Sequence, residues 1–179
     1  RTMDAEESNV SDYSLEELAA ASELGIPINE YDDVYVGVRM ERIEFTPGSA
    51  VSTEVLSFRS ENGNTFNNLV LVGSFARDSR NSRLLPTAGS FSSLSSEIGI
   101  PGSDLAYYKL RVRHQQFFPL AQDFALVLNG SLGVGSGLAD TAELPIIDNF
   151  FAGGIRTVRG YETNTLGPRD SESVGSNPT

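Results

Sequence analysis

The sequence predicts an all-β fold, an antiparallel meander of six strands, and three observations carry that expectation. Apolar residues recur at every second position in several long runs, the periodicity of a strand with one greasy side. Turn-forming segments separate the runs: GIPINEYDD (25–33), DSRNSRLLPTAGS (78–90), IPGSDLA (100–106) and FPLAQD (118–123). The second strand face is too charged for the dry interior of a sandwich, with Lys109, Arg111 and Arg113 on one strand alone.

In chain order, the first element is ambiguous. In YSLEELAAASELGI (13–26), Ser14 and Glu17 make a capping-box pattern, Leu, Glu and Ala favour helix, and Gly25 suits a C′ position. The competing strand sets Leu18, Ala20, Ser22, Leu24 and Ile26 against Glu17, Ala19, Ala21, Glu23 and Gly25. The residues leave both open. Next, Val34, Val36, Val38 and Met40 alternate with Gly37, Arg39 and Glu41. The segment STEVLSFRSENG (52–63) reads as a short loop helix ending near Gly63. Leu69 to Arg77 is apolar on both faces, and Phe91 to Ile100 sets Leu94, Ile98 and Ile100 against Ser93, Ser95 and Glu97. Tyr108, Leu110 and Val112 oppose the three cations named above. Finally, Phe124, Leu126, Leu128, Leu132 and Val134 oppose Asn129, Ser131 and Gly133. Pro27, Pro86, Pro101 and Pro119 are expected between strands, where proline costs no ladder bond.

Composition narrows the function classes. The chain of 179 residues is 39% hydrophobic, enough for one core, and its formal net charge of −11 argues against a nucleic-acid partner. With no cysteine and one histidine, thiolate metal sites and histidine clusters are excluded. No run approaches the ~18–20 apolar residues of a membrane helix, and RTMDAEESNV lacks the order of a signal peptide. A β-barrel in a membrane is compatible, because its strands hide apolar residues at alternate positions. The strands are roughly 9 to 13 residues long, against the ~9–11 that cross a bilayer at a tilt. Six cannot close a barrel whose smallest members have eight. Either the fold is not a membrane barrel or the chain is a piece of one, which suits polar segments at both ends, Arg1 to Asp12 and Asp170 to Thr179.

Few constellations suggest chemistry. Glu16 and Glu17 fall on opposite faces of a strand, Asp32 and Asp33 lie in a turn, and His114 has no Ser or Cys partner at a recognisable spacing. LGVGSG (132–137) lacks the following helix that a phosphate loop needs, so its glycines read as a bend or a close neighbour. No catalytic residue and no metal or other cofactor is expected. The segment FFAGGIRTVRGYETNTLGPRD (150–170) differs. Gly153, Gly154 and Gly160 let the backbone fold back, Phe150 and Phe151 supply packing area, and Arg159 offers a planar fork of donors that suits a carboxylate. An ordinary extracellular loop has a similar composition.

Within this segment the tetrad Val158-Arg159-Gly160-Tyr161 resembles the V-R-G-[FY] hallmark of the sixth extracellular loop in the Omp85 superfamily. FFAGG before it and NTLGP after it resemble the outer-membrane β-barrel assembly factors of that family, as do GIPINEYD (25–32), Arg77-Asp78, PTAGS (86–90) and IPGSDLAYYK (100–109), in order. The resemblance implies a transmembrane barrel of sixteen strands, of which 1–179 would be about strands six to eleven and part of loop six, without the periplasmic POTRA domains. It makes 13–26 a strand. It places the turns near 27–33, 79–89 and 119–123 in the periplasm, and 46–66, 101–106 and 136 onward outside the cell. It implies that the loop folds into the barrel lumen, with Arg159 held by an acid on later strands. Glu17, Glu23, Glu41 and Glu97 face the proposed lumen and are candidate second neighbours. The implied activity is insertion and folding of outer-membrane proteins in the bacterial outer membrane, without catalysis. The partners implied are client barrels, the lipid bilayer and accessory lipoproteins, with periplasmic chaperones a further candidate and no nucleic acid. Rival readings are another family member, such as a second assembly factor or a two-partner secretion transporter, a passive porin, and a soluble acidic binding domain.

Overall fold

The computed structural model describes residues 2–4, 13–47, 53–121, 124–139, 141, 143–155, 157–163 and 165–166. Seven strands form one sheet in sequence order: β1 (Thr2–Asp4), β2 (Tyr13–Pro27), β3 (Asp32–Pro47), β4 (Thr65–Asp78), β5 (Gly89–Gly99), β6 (Tyr107–Ala121) and β7 (Phe124–Gly137). Every neighbouring pair is antiparallel. The expected meander of six long strands is therefore present, with the three-residue β1 added from a stretch expected to be loop. Five of the six long strands run 14 to 16 residues, beyond the expected 9 to 13, and β5, with 11, falls within it.

Tertiary pairing decides the ambiguous first element. All fifteen residues of β2 pair in register with β3, from Tyr13 opposite Pro47 to Pro27 opposite Asp33. A helix there would leave the β3 edge unpaired, and an unbroken ladder outweighs helix propensities of a few tenths of a kcal/mol per residue. The loop helix is also present: α1 (Thr53–Asn62) ends at Gly63, whose φ is 89° and whose N–H donates to the Arg59 carbonyl at 2.8 Å. This is the left-handed C-terminal cap that glycine suits. Two prolines depart from expectation. Pro27 closes β2, and Pro119 lies inside β6, opposite Ala125 beside an irregularity between Pro119 and Ala121. Strand ends and bulges are where the missing N–H is tolerated.

Register separates the faces through the middle of the sheet, while Arg42 and Glu44 share the apolar face near its loop end. Ile26, Val34, Phe75, Leu94, Val112 and Leu132 form one continuous cross-strand row over β2 to β7. One step along, the row on the other face is Gly25, Tyr35, Ser74, Ser95, Arg111 and Gly133. The first face is bare: Leu18 is 76% exposed, Met40 63% and Leu132 78%. A sheet presenting so many uncovered aliphatic side chains is stable where its surroundings are apolar. The second face carries the buried cluster of Ile43, Phe45, Phe66, Leu105 and Tyr107 at its loop end. Phe58 of α1 packs edge-on against Phe45 and tilted against Phe66, with centroids 6.4 and 5.6 Å apart. Residues 144–151 lie over the same cluster through Leu144, Ile146, Ile147 and Phe151, so this is the inner face.

The connections after β2 and β4 lie at one end of the sheet, and α1 and the segment after β7 lie at the other. At the turn end Asn29 Oδ1 accepts from the N–H groups of Tyr31 and Asp32, and Arg80 grips Asp78 through two bonds of 2.8 and 2.7 Å. Gly89, with φ of 94°, admits no side chain, since a Cβ there would overlap the Ser79 carbonyl oxygen.

Candidate functional site

The inner wall is polar in its middle because β3, β5 and β6 each present charges on the same face. Arg39 is central. Its Nε donates to Glu41 at 2.8 Å and its Nη2 to Glu97 at 2.7 Å, joining β3 to β5 across β4. Glu41 is buried and accepts a second bond from Asn68 Nδ2 at 3.3 Å. Arg39 thus bridges two carboxylates, the use to which a guanidinium fork is suited. Glu23 borders a recess of about 200 Å³ beside Arg39, and Glu17 borders another of about 210 Å³ shared with Ile147 and Asp148.

After β7 the chain doubles back onto this wall. The Leu138 N–H donates to Ala106 and the Thr141 N–H to Leu138, tightening the reversal, and Pro145 is fully buried. A 3-10 turn, Ile146–Asp148, then brings the Asp148 carboxylate to Lys109 Nζ at 3.1 Å. Phe150 follows, its ring centroid 5.2 Å from Lys109 Nζ and 5.3 Å from the Arg111 guanidinium. Gly133 and Gly135 face the same way on β7, opposite Arg111 and Lys109. A Cβ on Gly133 would stand 2.6 Å from the Phe150 ring, and one on Gly135 would stand 3.1 Å from Leu144. These are the close neighbours that the glycine pattern of LGVGSG implied.

The predicted motif lies beyond that seat. Gly153 and Gly154 adopt φ of 123° and 82°, a conformation that favours glycine. They fold the segment into a small closed turn: the Gly154 N–H donates to the Tyr161 carbonyl at 2.9 Å, and the Gly153 N–H donates to Thr157 Oγ1 at 2.8 Å. Paired bonds between Ala152 and Leu166 close its base. Val158, Arg159, Gly160 and Tyr161 crown the turn and are exposed. Gly160 has φ of 93° with open space where a Cβ would be, so its backbone handedness, not a close approach, requires glycine. Among the described residues no carboxylate lies within ion-pairing distance of Arg159. Of the four acids that were candidate neighbours, Glu41 and Glu97 are engaged by Arg39. The end of the expected loop, 167–170, lies outside the described residues.

Sequence reasoning did not find Lys109, Asp148 and Phe150 as a group, since only the returning path of the loop brings them together. It also missed a neighbour of His114: Ser92 Oγ lies 2.9 Å from its Nδ1, a cross-strand pair on the outer face. Both side chains stand on an exposed pleat, away from the polar wall, and among the described residues no group of His, Cys, Asp and Glu could hold a metal.

The sheet and its returning loop have counterparts. The crystal structure of BamA from Haemophilus ducreyi lacking POTRA domains 1-3 superposes with a TM-score of 0.81 at 20% identity, over 88% of this chain and 32% of that one. The outer membrane protein assembly factor BamA of Neisseria meningitidis serogroup B is 31% identical over 94% of this chain and 22% of its own length. The sorting and assembly machinery component 50 homolog of Mus musculus is 30% identical over 74% of this chain and 28% of its own length. The chain therefore spans between a fifth and a third of these relatives. The Omp85 superfamily domain model matches residues 2–178, and with the meander, the polar inner wall and the V-R-G-Y turn it establishes that this chain belongs to the Omp85 superfamily.

Proposed function

We propose that residues 1–179 are about strands six to eleven and the start of loop six of a sixteen-stranded outer-membrane barrel that folds and inserts other outer-membrane β-barrel proteins. The observation that carries the reading is the inner wall with a loop folded onto it, behind a bare apolar outer face. The bacterial and animal relatives, named respectively as an outer-membrane assembly factor and as a sorting and assembly component, support it. The work is non-enzymatic and needs no nucleotide, metal or other cofactor. Unpaired N–H and C=O groups are costly in a bilayer, so a barrel that opens along one seam offers a client strand the partners it lacks. Strands β2 to β6 are paired on both edges and supply closed wall. Clients and lipid meet the seam elsewhere in the barrel, with accessory lipoproteins and periplasmic chaperones on its inner-leaflet side.

In this reading Arg159 anchors the motif turn through a carboxylate on barrel strands beyond the described residues. The test uses the full-length protein in cells depleted of their own assembly factor. Arg159→Ala is expected to expose the loop to protease and slow client folding, and Arg159→Lys to rescue in part, because a point charge cannot reproduce the fork. A protected loop with clients folding at the parental rate in Arg159→Ala overturns the anchor. A constitutive solute conductance from a protein whose depletion leaves every client barrel assembled overturns the assembly function in favour of a passive pore.

A further inference from the structure

The apolar contacts of Ile146, Ile147 and Phe151 hold the returning loop against the sheet, yet aliphatic surfaces slide past one another and do not set where along the strands the loop comes to rest. Two directional contacts do. The first is Lys109 to Asp148 at 3.1 Å, with the side chains only 13% and 18% exposed, so each charge depends on the other for the solvation it has lost. The second is the Phe150 ring, which stands almost equidistant from Lys109 and Arg111 on β6 and rests over Gly133 on β7. Positive charge over an aromatic face is attracted by the ring quadrupole, and two cations a full pleat apart fix the ring between them. On one side, then, the wall supplies charge. On the other it supplies a slot, since a side chain at Gly133 would occupy the space of the ring.

We propose that Lys109, Arg111 and Gly133 form a latch that receives Asp148 and Phe150 and sets the position of the V-R-G-Y turn in the lumen. These are positioning residues, and the inference rests on the assembly reading above. The latch stands upstream of Gly153 and Gly154, whose left-handed backbone directs the chain from the seat to the turn. It is complete within the described wall, unlike the contact of Arg159, so the loop is held from its entrance independently of the arginine.

The full-length protein in native outer membranes tests this. Gly133→Cys with Phe150→Cys should form a disulfide on mild oxidation, while Gly130→Cys with Phe150→Cys should not, because Gly130 faces outward opposite His114. Gly133→Val should evict the ring and raise protease cleavage within 150–166 by about tenfold, whereas Gly130→Val, with open space at its Cβ, should leave cleavage unchanged. Lys109→Asp should also expose the loop, and adding Asp148→Lys should restore protection, which a purely space-filling role would not do. Should a variant fold poorly, the disulfide yield in the folded fraction of the cysteine pair still reports the contact. No disulfide, or parental cleavage in both Gly133→Val and Lys109→Asp, overturns the latch. Client folding is read in the same membranes and after depletion of the protein: client barrels that assemble without it overturn the assembly reading, while the disulfide and the charge swap still decide the latch.

Discussion

Glu41→Ala removes the most enclosed charge of the inner wall, and its cost follows from the bonds around it. The Glu41 side chain is 4% exposed and accepts 2.8 and 3.3 Å bonds from Arg39 and Asn68. Breaking an isolated buried pair costs about 3–5 kcal/mol, because the surviving charge is left without a partner. Arg39 is not stranded so completely: it keeps Glu97 at 2.7 Å and is 27% exposed. What is lost is one short charge-assisted bond, about 1.5–3 kcal/mol, and one long amide bond worth less. The expected destabilisation is therefore about 2–3 kcal/mol, below the full penalty for an isolated pair. Urea unfolding of the full-length barrel in micelles, followed by the mobility difference between folded and unfolded forms, measures it. A double-mutant cycle with Arg39→Ala should give a coupling of about 1–3 kcal/mol. Single-variant costs below about 0.5 kcal/mol with an additive double variant would mean that the pair is solvated like a surface one, and the reasoning from burial would fail.

The register makes two further predictions. Val112 lies outward and Arg111 inward, so Val112→Arg should cost about 2–4 kcal/mol near the bilayer midplane. Lipid-soluble reagents should label Val112→Cys and water-soluble ones Arg111→Cys, the reverse pattern meaning a one-residue slip. Gly63→Ala and Gly89→Ala separate conformation from space: the first has an open site and should cost about 1–2 kcal/mol for the left-handed backbone. The second adds overlap with Ser79 and should cost more in the same unfolding assay, while equal costs would show that the β4–β5 turn relaxes freely.

The alternation of Val34 to Met40, the turn at 25–33, the helix ending at Gly63 and the split into a bare apolar face and a charged face were all legible in the sequence. Each depends on residues within a few positions of one another, where a strand or helix period maps directly onto a face. The V-R-G-Y tetrad was legible as a pattern, and Gly153, Gly154 and Gly160 all adopt the positive φ that glycine permits. What lies between distant residues was not. The segment 13–26 carries helical propensity, and only β3 lying beside it made a strand the lower state, because fifteen paired residues outweigh a local preference. Arg39 found Glu97 because β4 spaces their strands, and Lys109 found Asp148 because the chain after Gly137 reverses along the inner wall. LGVGSG announced that something would come close to β7, but Phe150 and Leu144 were identifiable only from the loop's path. Sequence period fixes which way a side chain points, whereas its partner is set by register and loop closure, which are decided by contacts over the whole sheet at once.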